Sequence, residues 1–151
     1  MQTPLCRSLG IDAPIFAFTH CRDVAVEVSK AGGLGCLGSA FMTPAELKEH
    51  LDWMDAKVGD KPYGVDILFN PRQPGKGAQL TIEQVDEMVW STIPQAHRDF
   101  AEKLLSDAGV PAWPEPDRPS LRSMAYEMAF EIFEETLRHP KCKVIVSAMG
   151  T

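Results

Sequence analysis

One pattern limits the folds open to this chain more than any other. Short apolar runs alternate with helical patterns, and only a few residues separate them. Pro14-Ile15-Phe16-Ala17-Phe18 is apolar and aromatic and reads as a buried strand. The polar tetrad Thr19-His20-Cys21-Arg22 follows it, Asp23 offers an N-cap, and Val24, Val28 and Ala31 recur at helical spacing before Gly32-Gly33. Leu34-Gly35-Cys36-Leu37-Gly38 reads as a second strand. Thr43-Pro44-Ala45-Glu46 has the form of a capping box with proline in the first turn. Leu47, Leu51, Met54 and Val58 then give one apolar face, and Gly59 ends it. Tyr63-Gly64-Val65-Asp66-Ile67-Leu68-Phe69 is a third strand, apolar throughout except at Asp66, as expected when both faces are covered. Strand, helix, strand, helix, strand with short connections specifies a parallel α/β sheet.

Residues 70–140 break this rhythm. The stretch from Asn70 to Leu80 carries prolines and glycines and reads as a loop. Thr81-Ile82-Glu83-Gln84 is a second capping box, opening a helix to about Ile93. Pro94 starts another helix that ends near Gly109, and the proline-rich stretch from Val110 to Pro119 is an extended connector. Ser120 caps a third helix, with Leu121, Met124, Met128, Ile132 and Phe133 on one side. Lys143 to Ala148 forms a fourth strand. A complete (β/α)8 barrel takes about 250 residues, so 151 residues can hold only part of one.

Composition removes several function classes. Hydrophobic residues make up 44% and charged residues 24%, which is ordinary for a globular domain. The formal net charge of −6 leaves no basic surplus for phosphates, which argues against nucleic-acid and anionic-membrane partners. The N-terminus lacks the basic start and apolar run of a signal peptide, and no apolar stretch approaches the ~18 residues of a spanning helix. Cys6, Cys21, Cys36 and Cys142 form no CxxC pair, which fits free thiols in a reducing cytoplasm.

Four features bear on chemistry. Gly33-Leu34-Gly35-Cys36-Leu37-Gly38 matches G-x-G-x-x-G, but a helix precedes it and the motif itself is the strand. A dinucleotide fingerprint needs the reverse context, so these glycines are read as room for a helix packed tightly on a strand. Thr19, His20, Cys21 and Arg22 stand where parallel folds place ligands, and they fit either a site wall or an ordinary polar turn. Asp66 fits either a carboxylate aimed into a site or a strand-end residue in water. His50, His97 and His139 lie on expected helices without ligand spacing, so no metal site is expected. Trp90, Phe100, Trp113, Phe130 and Phe133 are read as core filling.

Thr3-Pro4-Leu5-Cys6, Ala13-Pro14-Ile15, Ala31-Gly32-Gly33-Leu34-Gly35 and Lys61-Pro62-Tyr63-Gly64-Val65-Asp66 resemble, in that order, landmarks of the nitronate monooxygenases, formerly 2-nitropropane dioxygenases. The resemblance covers roughly residues 3–70, and Lys143 to Thr151 resembles the family's next strand. It implies an FMN-dependent (β/α)8 TIM barrel. This chain would be its amino-terminal part: a partial barrel of about four parallel strands over 1–151, with 70–140 a helical insertion between strands 3 and 4. It also implies flavin contacts, partly through backbone, at Phe18, Thr19 and His20, where typical members have a longer loop and carry glycine and methionine in place of Thr19 and His20. The family's third strand often ends in Gly-Val-Asn, whose Asn contacts FMN. Here the position is Asp66, which cannot donate an amide hydrogen bond and brings a charge. These departures mark a divergent subgroup. The family's phosphate loops and catalytic histidine belong to later strands. None of His20, His50, His97 or His139 matches that histidine, and the catalytic residue is expected beyond Thr151. The implied reaction is oxidation of alkyl nitronates, or a related small-molecule substrate, with O2. The partner that completes the barrel would be a second copy or the remaining strands. The alternatives are a non-catalytic partial-barrel binding or assembly module, and a different TIM-barrel oxidoreductase or isomerase.

Overall fold

A computed structural model describes residues 2–69, 81–111 and 126–149. The chain opens with a short helix, α1 (Pro4–Leu9), that hydrophobic periodicity did not reveal. Its ends account for it. The Thr3 hydroxyl accepts the Cys6 N–H at 3.2 Å, Pro4 occupies the first turn, and Gly10 closes the helix in the left-handed region. Then come β1 (Phe16–Thr19), α2 (Arg22–Lys30), β2 (Leu34–Gly38), α3 (Pro44–Lys57), β3 (Tyr63–Asp66), α4 (Ile82–Ser91), α5 (Gln95–Asp107), α6 (Tyr126–Leu137) and β4 (Cys142–Val146). The expected loop 70–80, the connector 112–119 and the Ser120 cap lie outside the described residues.

All four strands are parallel and lie in sequence order, β1-β2-β3-β4. Residues from α2, α3 and α6 share one apolar cluster with Leu37, Val65 and Ile67, so the crossover helices cover a single face. A parallel sheet wound this way has no switch point, and the arrangement is that of four consecutive strands of a (β/α)8 barrel. The opposite face, inner in such a barrel, carries Leu34 and Cys36 with Val144 and Val146 beside them. Cys6, Leu9 and Ile11 pack against this cluster from α1 and the turn after it. Within the 70–140 segment, α6 lies against α3 in the outer layer, whereas no residue of α5 is buried.

The structure corrects three local readings. Asp23 does not cap α2: Cys21 holds that position without a side-chain bond. The buried stripe of α2 is Ala25, Val26 and Ser29, while Val24 is 46% exposed. Close approach explains the choice of small residues. A Cβ on Gly35 would stand 2.0 Å from the Ala25 carbonyl oxygen, and Ser29 Oγ accepts the Gly35 N–H at 3.0 Å. Lastly, the first run is an edge strand and not a buried one, since Phe16 and Phe18 are 44% and 58% exposed. By contrast, the Thr43–Glu46 capping box forms in both directions, at 3.2 and 2.7 Å.

A polar cluster ties the strands' amino-terminal end to the helices. Tyr63 Oη donates to Asp55 Oδ1 at 2.9 Å, and His139 Nδ1 lies 2.7 Å from Asp55 Oδ2. His139 Nε2 is 3.5 Å from Glu135, which pairs with Arg138 at 2.6 Å, and Lys141 Nζ donates to the Asp55 carbonyl at 2.6 Å. His139 and Glu135 are buried. Burial, and then the bond to Asp55, push the Tyr63 hydroxyl pKa well up.

Candidate functional site

The strands' carboxyl ends place a different set of groups together. Register puts Gly38, Asp66 and Val146 side by side on the inner face, one level above Cys36, Gly64 and Val144. Phe18 lies across from Cys36, and His20 follows it one level up. The Phe18 and His20 rings meet edge to face at 5.0 Å, and His20 Nδ1 sits 3.4 Å from the Gly38 carbonyl oxygen. A Cβ on Gly38 would stand 2.7 Å from the Phe18 ring and 2.8 Å from His20 Cε1, so only glycine leaves these rings where they are. Three of the four candidate residues, Phe18, His20 and Asp66, therefore share this face.

Thr19 does not join them. It pairs in register with Leu37 of the outer cluster, and its hydroxyl accepts the Cys21 N–H at 3.0 Å. Alternation along a strand makes this unavoidable once Phe18 and His20 face inward. Arg22 also serves the helices, with its guanidinium 4.8 Å over the Trp53 ring and 3.6 Å from Glu49.

Asp66 is 7% exposed, and its Oδ1 has no hydrogen-bond partner. Desolvation pushes its carboxyl pKa upward, while a backbone bond from Ala148 and the charge of His20 act the other way. The Asp66 main chain is well satisfied: its carbonyl accepts the Ser39 Oγ–H at 2.7 Å and the Ser39 N–H at 3.0 Å. Two strand thiols are held protonated, Cys36 below the site and Cys142 against the outer cluster. Burial, and then the Asp66 charge, push Cys36 up to about 11, and burial pushes Cys142 up to about 12.

Motif reading passed over the turn after β2. Ser39 is buried, and Phe41 adopts φ 67°, a left-handed conformation unusual for an aromatic residue, with its side chain 61% exposed. The signal was present in position alone, because these residues lie between a strand's carboxyl end and a capping box. His50, His97 and His139 do not converge, and no group of three His, Cys, Asp or Glu suited to a metal occurs among the described residues. No described helix is long and apolar enough to cross a membrane.

Comparison with known proteins bears on the same strands. The family model described as nitronate monooxygenase matches residues 8–112. A Mycobacterium tuberculosis protein named only as a monooxygenase (Rv1533) is 40% identical over 121 residues, covering 80% of this chain and 31% of its own. A 5-hydroxy-7a-methyl-1-oxo-octahydro-1H-indene-4-carboxyl-CoA dehydrogenase of the same organism is 33% identical over 88 residues, 56% of this chain and 24% of that protein. A Staphylococcus haemolyticus protein named as a nitronate monooxygenase is 30% identical over 88 residues, 56% of this chain and 23% of that protein. This chain thus spans less than a third of the length of each of these relatives. With a family match over most of its length and the expected strand order, the chain belongs to the nitronate monooxygenase family.

Proposed function

We propose that this chain forms one wall of an FMN-dependent oxidoreductase site that oxidises alkyl nitronates, or a related small acidic carbon compound, with O2. The observation that carries the reading is Asp66: a buried carboxyl oxygen without a partner, at the carboxyl end of a strand in a member of this family. A buried polar atom left unpaired costs about 1–3 kcal/mol, and such atoms are retained where a ligand satisfies them. The residues fit the flat ring system of FMN. Asp66 offers a polar partner, and Gly38 makes room for the Phe18 and His20 rings that border it. They do not fit its phosphate, because Arg22 is engaged with Trp53 and Glu49. FMN would supply the electron transfer, while Asp66, Gly38 and the Phe18–His20 pair would orient its ring and shield it from water on one side. Phosphate binding and the proton-abstracting base would come from strands outside this chain.

The exposed Phe16 and Phe18 edge favours closure by further strands, from the remainder of a longer polypeptide or from a second copy. We place the reaction in the cytoplasm, consistent with four free thiols. Titrating FMN into the purified chain tests the reading. Quenching of flavin fluorescence and a perturbed visible spectrum are expected, with no nitronate turnover by the chain alone. A chain that leaves the FMN spectrum unchanged would defeat the flavin assignment for these residues, and measurable turnover would defeat the claim that the site needs more strands.

A further inference from the structure

We infer that Asp66 works as a neutral acid, donating a hydrogen bond from its carboxyl into the strand-end site and thereby selecting ligands that present an acceptor there. The inference deepens the flavin reading and rests on it for the identity of the ligand. Two observations carry it. Asp66 is more than nine-tenths buried, yet its Oδ1 has no partner. The register sets the residue on the inner face beside Gly38 and Val146, across from His20, where a ligand would meet it. A carboxylate can only accept, whereas a carboxylic acid has one O–H to give. Asparagine donates through its amide, so the protonated acid reproduces a donor that an ionised aspartate lacks.

The groups facing Asp66 set when that proton leaves. His20, following β1, favours ionisation through its charge; Ala148, following β4, does so through its N–H; and Cys36, on β2, is held protonated and adds no charge of its own. Desolvation by the surrounding strands opposes ionisation and outweighs the other effects, so the proton is kept above the ordinary aspartate range.

Two measurements on the 151-residue chain decide the matter. The first needs no ligand: carboxyl carbon NMR across pH, with the Asp66 signal assigned by its loss in Asp66→Asn. A midpoint above the ordinary aspartate range is expected, and His20→Gln should move it higher still. A midpoint at or below that range overturns the inference whatever FMN does. The second is FMN affinity against pH. Wild type should lose affinity about tenfold per pH unit above the Asp66 midpoint, while Asp66→Asn should bind with a flat profile. Equal, flat profiles for the two proteins overturn the inference and leave the flavin reading standing. Absence of FMN binding at every pH sinks the flavin reading instead, and the NMR midpoint then decides the acid alone.

Discussion

The two ends of this sheet treat their aspartates in opposite ways. At the amino-terminal end, Asp55 accepts the Tyr63 hydroxyl, lies 2.7 Å from His139, and has its carbonyl capped by Lys141. At the carboxyl end, Asp66 is buried more deeply and leaves Oδ1 unpaired. The first arrangement joins α3, β3 and the residues after α6 into one unit. The second leaves a polar group in want of a partner, beside a glycine and next to a turn with a left-handed phenylalanine. In barrel architectures stability concentrates at the amino-terminal face and chemistry at the carboxyl face, and here the division shows in the hydrogen bonds themselves.

The largest effect expected lies at the lower half of β2. Gly35→Ala would set a Cβ 2.0 Å from backbone of α2, and backbone cannot step aside as a side-chain tip can. Overpacking of this kind costs about 3 kcal/mol or more. The variant should be insoluble or lack a cooperative urea transition, and a transition within about 1 kcal/mol of wild type would show that α2 is free to lift off the sheet.

Next comes His139→Ala, which strips a buried imidazole from between Asp55 and Glu135. Removing one member of a buried charged network costs about 3 kcal/mol. Tyr63→Phe removes one hydrogen bond from the same network and should cost about 1 kcal/mol. Urea midpoints read both. If neither variant shifts its midpoint, the amino-terminal end is not the stabilising one and the contrast between the ends fails.

The amino-terminal end was hard to read in the sequence, and the reason is physical. Strand and helix existence was legible because apolar period and capping boxes act locally: Thr43–Glu46 and Thr81–Gln84 cap as their spacing says. The parallel pairing followed from the same alternation, whereas the order β1-β2-β3-β4 is what the resemblance to a (β/α)8 family implies. The partnership of Asp55 with His139 joins residues 84 positions apart, and nothing local marks it. The buried stripe of α2 departs from its apolar spacing for a related reason. Val24 and Val28 match the apolar spacing, but the glycine beneath lets the backbones approach so closely that the small Ala25 and Ser29 make the contact. Asp66 is legible as a carboxylate in an apolar strand, while Thr19 shares its neighbours' polarity but is turned to the outer face by strand alternation.

Asp66→Asn should act in the opposite direction, raising stability once pH exceeds the folded-state Asp66 midpoint. Burial lifts the folded-state pKa of Asp66 above its unfolded value near 4, so its contribution is intact below that value and is lost as pH rises through the folded-state one. Wild type and Asp66→Asn should therefore have equal urea midpoints in acid and diverge across that window, with the variant the more stable above it. A variant less stable than wild type above that window would mean that the carboxylate has a partner in the folded chain, and the two ends would no longer differ.

The smallest stability effect should come from Gly38→Ala, three residues along the same strand from the most damaging change. Its added methyl also overlaps neighbours, at 2.7 and 2.8 Å, but they are the Phe18 ring and His20 Cε1 at the outer ends of exposed side chains. Those rings can swing into solvent, so the urea midpoint should move by less than about 1 kcal/mol. The site should still change, because His20 then loses its place against the Gly38 carbonyl. His20 ring resonances and FMN affinity should shift in Gly38→Ala while the stability curve stays put. Were the stability to fall as far as in Gly35→Ala, the carboxyl end would be packed as rigidly as the rest of the strand, and the Phe18 and His20 rings would not be free to adjust to a ligand.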